Sequence, residues 1–107
     1  MTAKHPALDA VGRLYEDHMR APYPRGLRGA DRAGIDMVTL DADTAGWVHT
    51  WIKNGGSLDA RGHGILLRCA DRLDRVMPAL AAADDPAYWR RLRDLARLVA
   101  DTVPSGG

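Results

Sequence analysis

The sequence contains one cysteine, Cys69, no phenylalanine and no long apolar run. A single cysteine excludes a disulfide framework within the chain. Without an apolar stretch of about 20 residues, no segment is predicted to cross a membrane. The first residues also lack the apolar core of a secretory signal. We therefore expect a soluble, cytoplasmic protein.

Lysine and glutamate are scarce, since arginine supplies 13 of the 15 basic residues and aspartate 13 of the 14 acidic ones. This bias is typical of a GC-rich bacterial genome, so the arginines alone do not indicate phosphate binding. The net charge of +1 provides no overall field that would gather nucleic acid or anionic lipid. Composition therefore gives no support to either class of partner.

The chain of 107 residues, 46% of them hydrophobic, is long enough for one domain with its own core. Apolar residues recur at helical spacing nearly throughout, and no convincing strand alternation is present. We therefore predict an all-α fold, an irregular four-helix bundle in a single domain. The predicted helices span residues 6–20, 32–54, 57–82 and 86–102, with a loop at 21–31 and a frayed tail at 103–107.

Glycine, proline and capping residues set the predicted helix ends. The second helix begins between Asp31 and Asp36 and ends at the Asn54-Gly55-Gly56 stop signal. Ser57 is the predicted N-cap of the third helix, and Pro78 either kinks or ends that helix. In the segment 84–86, an aspartate cap followed by proline at the first helical position predicts the start of the fourth helix.

The second helix has an unusually wide apolar surface, which covers roughly 220° of its helical wheel. Such a helix is either central to a bundle or shared with another chain. Trp47 and Trp51 lie one turn apart on this surface, near Met37, and Trp89 lies on the fourth helix. Because tryptophan is enriched at interfaces, these four residues are candidates for an interaction surface. Filling of the monomer core is the equally weighted alternative.

Two polar residues, His18 and Asp41, lie on the apolar faces of the first and second helices. If these helices pack antiparallel, the two side chains meet. A satisfied core contact, or Asp41 acting as a helix cap, is the favoured interpretation. A small-ligand or metal site is the second, although His5, His49 and His63 show no metal-ligand spacing. An acid–base pair is the third, without an evident nucleophile.

Two groups of arginines are candidate anion-binding residues. Arginine with aromatic neighbours can bind phosphate and stack on bases. Aspartates on the same faces favour a solvated surface instead, which makes nucleic-acid binding the weakest hypothesis. The candidates are Arg25 and Arg28 in the loop, and Arg90, Arg93 and Arg97 on the fourth helix.

Catalytic and cofactor motifs are absent from the sequence, so we predict no cofactor and favour a protein without enzymatic activity. Cys69 lies on the predicted core face of the third helix, which favours a structural role. The leading hypothesis is a small helical interaction or regulatory protein that acts as a homodimer or docks on a protein partner. The alternative is a small-molecule or metal-binding protein, or an enzyme, with its site around His18 and Asp41.

Overall fold

Four α-helices make up most of the computed structural model, which describes residues 5–27, 29–102 and 104. This confirms the predicted all-α fold. Short 3-10 turns occupy Arg25–Leu27, Met77–Ala79 and Ala82–Asp84, and a small antiparallel hairpin pairs β1 with β2. The elements are α1 (Leu8–Arg20), β1 (Asp31–Arg32), β2 (Ile35–Asp36), α2 (Met37–Lys53), α3 (Ala60–Val76) and α4 (Pro86–Ala100).

The hairpin corrects the predicted N-terminal end of the second helix, because residues 32–36 are not helical. Its two turn residues, Ala33 and Gly34, both have positive φ, 50° and 75°, as a two-residue type I′ turn requires. Asp36 then caps α2, since its carboxylate accepts a hydrogen bond of 2.9 Å from the Thr39 amide. The N-cap therefore lies at the last position of the predicted range, and the helix itself begins one residue later, at Met37.

The third helix is shorter at both ends than predicted. Its N-cap is Asp59, whose carboxylate accepts a 2.8 Å hydrogen bond from the Gly62 amide, and the predicted cap Ser57 lies outside the helix. Its last residue is Val76, because Pro78 lacks the amide that a further turn needs. Of the two predicted effects of this proline, the structure shows termination.

The C-terminal end of α2 follows the predicted stop signal in a Schellman arrangement. The Gly55 amide donates to the Ile52 carbonyl at 2.9 Å, and the Gly56 amide donates to the Trp51 carbonyl at 2.8 Å. Both glycines have positive φ, 75° and 102°, a conformation that other residues adopt with strain. The chain reversal into α3 therefore depends on glycine at this point.

We expect Gly55→Ala to lower the free energy of unfolding by about 1–2 kcal/mol, because alanine is strained in the left-handed region. Gly64 is the matched control, since it lies inside α3 and a Cβ at either glycine meets no atom within 4 Å. Gly64→Ala should raise the same quantity by about 0.5–1 kcal/mol through helix propensity. Urea unfolding measures both values, and changes of the same sign would contradict the argument.

The wide apolar surface of α2 is explained by its position, because α2 contacts α1, α3 and α4. Met37, Trp51 and Trp89 are fully buried, so they lie in the core of the chain, the alternative weighed equally for them above. Trp47 is half-buried and lies over Gly62 of α3, where a Cβ would be 2.8 Å from its ring. Of the four candidates for an interaction surface, only Trp47 is partly exposed.

Cys69 lies in the same core, where only 1% of its surface is exposed. Burial raises the pKa of its thiol, which keeps it protonated and poorly nucleophilic. The structural role predicted for this cysteine agrees with that environment. In the described part of the chain, no helix combines the length and apolar character needed to cross a membrane.

A partly buried ion pair connects the hairpin to the turn that precedes α4. Arg32 donates to both carboxylate oxygens of Asp84, at 3.0 and 2.9 Å, and the Ala81 amide donates to the same carboxylate at 2.9 Å. The indole N–H of Trp89 donates to the Asp84 carbonyl at 3.0 Å. Asp85 then caps α4 as predicted, with Pro86 in its first turn. We call Arg32, Ala81, Asp84 and Trp89 the Asp84 clamp.

Candidate functional site

His18 and Asp41 are in direct contact, which confirms the prediction that the two misplaced polar residues meet. The Nε2 atom of His18 lies 3.0 Å from Oδ1 of Asp41. Tyr15, one turn earlier on α1, stacks on His49, two turns later on α2, with ring centroids 5.6 Å apart. The order of these two contacts shows that α1 and α2 run antiparallel, the arrangement on which the prediction depended.

Tyr88 of α4 is the third member of this contact, and the sequence argument missed it. Its hydroxyl donates to the same Oδ1 atom of Asp41 at 2.9 Å, and its ring centroid lies 4.6 Å from that of His18. Burial, followed by the charge of Asp41, raises the pKa of Tyr88, so the phenol keeps its proton and acts as a donor. The available signal was a phenol on the apolar face of α4, because a buried hydroxyl needs a partner.

His18 fixes one oxygen of the Asp41 carboxylate from a buried position. The residue is only 3% exposed, and its Nε2 atom lies against Oδ1 of Asp41. Its Nδ1 atom has no hydrogen-bond partner among the described residues. The ring is therefore held in the contact through Nε2 alone.

The carboxylate of Asp41 opens into a surface pocket of about 330 Å³. Its side chain is 21% exposed, and both hydrogen bonds that it receives from described residues reach Oδ1. The pocket is otherwise lined by the ring of Tyr23 and by Val38 and Ala42 of α2. We call these four residues the Asp41 face: Tyr23, Val38, Asp41 and Ala42.

Tyr23 lies in the proline-rich loop, for which the sequence predicted no regular structure. Its hydroxyl donates to the Leu27 carbonyl at 3.2 Å, and its ring packs edge-on against Tyr88 and Trp89, with both centroid distances 5.9 Å. Burial, with a further contribution from the charge of Asp41, raises the pKa of Tyr23. The loop thus supplies a fixed, uncharged aromatic wall beside the carboxylate.

The arrangement is suited to binding. Two donors hold Oδ1 of Asp41 in one position, and aromatic and aliphatic groups surround the pocket. Tyr88 keeps its proton because its pKa is raised, so it does not serve as a base. Within the described residues, no three His, Cys, Asp or Glu side chains are grouped so that they could hold a metal ion.

We expect His18→Ala and Asp41→Ala to be coupled by about 1–2 kcal/mol in a double-mutant cycle followed by urea unfolding. The physical reason is the direct hydrogen bond between a buried ring and a partly buried carboxylate. The control cycle uses the exposed pair Glu16 and Arg20, whose charged atoms are 3.8 Å apart and whose coupling should stay below about 0.5 kcal/mol. Additive losses for His18 and Asp41 would mean that the contact contributes nothing.

The arginine candidates differ in their surroundings. Arg93 and Arg97 are paired with carboxylates across α3 and α4, and Arg97, followed by Arg93, lowers the pKa of Asp74. Arg25 and Arg90 are exposed, and Arg28 lies outside the described residues. The ion pairs of the two paired arginines are made with Asp71, Asp74 and Asp94.

The other histidines each contact a different part of the chain. His5 packs edge-on against Trp51, with centroids 5.2 Å apart, and His63 lies 2.6 Å from the Ala100 carbonyl through Nε2. His49 stacks on Tyr15, as described above. These contacts account for three of the four histidines as packing or helix-end interactions.

No model of a known protein family matches this chain. No curated protein and no solved structure matches it either. Its function therefore has to be inferred from the residues of the site and their geometry.

Proposed function

We propose that this chain is a small helical interaction protein that docks on a protein partner through the Asp41 face. The observation that carries the proposal is an oriented carboxylate that opens into a pocket beside exposed apolar side chains. Its Oδ1 atom is held by two donors, at 3.0 Å from His18 and 2.9 Å from Tyr88. A group fixed in this way loses little freedom when a partner binds, which favours affinity.

The apolar part of the Asp41 face supports the same proposal. Val38 is 44% exposed, although it lies in the first turn of a helix whose other large apolar residues are buried or half-buried. Ala42 follows one turn later and is also exposed. Apolar side chains with a few precisely placed polar groups are typical of binding pockets.

The size of the pocket favours one side chain of a partner over a whole small ligand. A volume of about 330 Å³ lies at the lower end of the range for ligand pockets, which runs from about 300 to 1,000 Å³. Four residues line the pocket, and it is open to the surface. Such a shallow pocket covers the end of an inserted side chain and leaves the rest of the partner to contact the surrounding surface.

Site-specific photo-crosslinking in native host cells tests this proposal. A benzophenone amino acid is placed at Val38, and the matched control carries it at Arg68, an exposed position on α3. We expect an adduct with one protein from position 38, weakened by Asp41→Asn, and none of that adduct from position 68. An adduct of twice 11.7 kDa would identify a second copy as the partner. Equal labelling from both positions, or none from position 38, would contradict the proposal.

A small-molecule site is the second candidate, because the pocket volume of about 330 Å³ also falls within the range for free ligands. Native mass spectrometry of the protein isolated from its host measures this directly. A bound small molecule that is lost in Asp41→Asn and retained in Asp94→Asn would favour this candidate. The chain mass alone in all three samples would count against it.

A further inference from the structure

We propose that the group bound at the Asp41 face is the ammonium group of a lysine side chain of the partner. This inference rests on the proposed function and adds the chemical class of the anchor. It follows from three observations: the charge of the pocket, the carboxylate oxygen that remains open, and the walls beside it.

No arginine or lysine of the described residues is paired with Asp41. Its one ion-pair contact there is with His18, and that contact reaches Oδ1. Tyr88, the other donor, is a phenol that bonds the same oxygen. A partly buried carboxylate with one oxygen left unbonded is costly, so a positively charged group is the complementary occupant.

The open oxygen selects between the two basic side chains. Both internal donors reach Oδ1, which leaves Oδ2 as the atom available to a partner. An arginine fork binds best when it can donate to both carboxylate oxygens at once. A lysine ammonium is a compact charge that needs a single acceptor. The geometry at Asp41 therefore suits lysine better than arginine.

The walls of the pocket match the rest of a lysine side chain. Val38 and Ala42 offer aliphatic surface to the methylene stem, which lysine buries while its charged end reaches a polar partner. The Tyr23 ring, fixed by the hydrogen bond to Leu27, lies beside the carboxylate and can attract a cation through its π system. The occupant therefore meets apolar groups along its stem and negative charge at its end.

An NMR titration with two matched probes tests this inference. N-acetyl-lysine methylamide carries the ammonium group, whereas N-acetyl-norleucine methylamide keeps a similar stem without the charge. We expect the lysine probe to shift the backbone amides of Asp41 and Ala42, with an affinity at least about threefold higher than that of the norleucine probe. N-acetyl-arginine methylamide should bind no better than the lysine probe.

Two pairs of variants show whether the preference for the lysine probe arises at Asp41. Asp41→Asn should remove the preference for lysine, whereas Asp94→Asn, which changes an exposed carboxylate on α4, should keep it. Val38→Lys places an ammonium group three residues before Asp41 on α2, so it should occupy the carboxylate and block the probe. Val38→Gln removes the same apolar wall without adding the charge, so it should weaken binding of the lysine probe less than Val38→Lys does. The Val38 pair decides the question if Asp41→Asn fails to fold.

The outcomes separate this inference from the proposed function. Equal affinities for the lysine and norleucine probes, or stronger binding of the arginine probe, would overturn the lysine inference. Crosslinking from position 38 would still support docking in that case. If crosslinking fails while the lysine preference is present and depends on Asp41, the pocket recognises an ammonium group but does not serve as a docking face for a protein.

Discussion

Trp89→Ala is expected to lower the free energy of unfolding by about 3–5 kcal/mol, the usual loss when a large buried aromatic side chain is truncated. Trp89 is fully buried, and its ring contacts Tyr23 and Tyr88 edge-on. A domain of this size is stabilised by about 5–15 kcal/mol in total. Denaturant unfolding should therefore show a large fall in the denaturant concentration at which half of the protein is unfolded.

A comparison of two conservative variants separates the hydrogen bond of Trp89 from its packing. Trp89→Phe leaves the Asp84 carbonyl without its donor at 3.0 Å, whereas the indole N–H of Trp51 has no hydrogen-bond partner among the described residues. Both side chains are fully buried, so the loss of volume is similar. We expect Trp89→Phe to cost about 1–2 kcal/mol more than Trp51→Phe. Equal losses would show that the hydrogen bond adds nothing.

The helices were predictable because their apolar periodicity and their end signals are local. The Asn54-Gly55-Gly56 stop and the Asp85-Pro86 start depend on residues next to each other in sequence, and both form as predicted. The hairpin was missed because each of its strands has only two residues, too few to show alternation. Ala33, in the turn of the hairpin, also adopts a positive φ, and an alanine in the sequence does not indicate that conformation.

The buried tryptophans show what a helical wheel leaves undetermined. A wheel records that α2 is apolar over most of its surface, but it does not say whether the covering helix belongs to the same chain. Here α1, α3 and α4 supply that cover, and Met37 and Trp51 are consequently core residues. A wide apolar arc with tryptophans is equally the pattern of a central helix, so it does not by itself indicate an interaction surface.

The candidate site was partly predictable, because local periodicity reveals a polar residue on an apolar helix face. His18 and Asp41 each break the apolar pattern of their own helix, so both could be found from local periodicity. Tyr88 fits the apolar pattern of α4, so its phenol indicates a buried partner but not which residue that partner is. Tyr23 lies in an irregular loop and produces no local signal. The contact of Tyr88 with Asp41 and its contact with Tyr23 span 47 and 65 residues of sequence and arise only when the chain folds.

Asp84→Asn is expected to lower the melting temperature at neutral pH by about 10 °C, a substantial effect for one substitution in a small domain. The asparagine cannot accept the two charge-assisted hydrogen bonds that Arg32 donates to the carboxylate. It also leaves the Arg32 guanidinium, which is 30% exposed, with a weaker partner. The hairpin and the turn before α4 should separate more easily as a result.

The pH dependence of the Asp84 clamp provides a sharper test. Arg32, followed by the Ala81 amide, lowers the pKa of Asp84. The stabilisation from this carboxylate is therefore present above its pKa in the unfolded chain, which is about 4. It is lost as the pH falls through the lower pKa of the folded state. The melting temperature of the wild-type protein should fall over that acid range. That of Asp84→Asn should fall less, because the contribution of the carboxylate is already absent at neutral pH.

Asp94→Asn serves as the control, because that carboxylate is 62% exposed and its pair with Arg93 contributes little in solvent. Its melting temperature should follow the wild-type curve from neutral to acid pH, and only Asp84→Asn should flatten that curve. Since Trp89 binds the Asp84 carbonyl rather than the carboxylate, Trp89→Phe should lower the whole curve without flattening it. If Asp84→Asn shows the wild-type acid dependence, the carboxylate of the Asp84 clamp does not stabilise the fold.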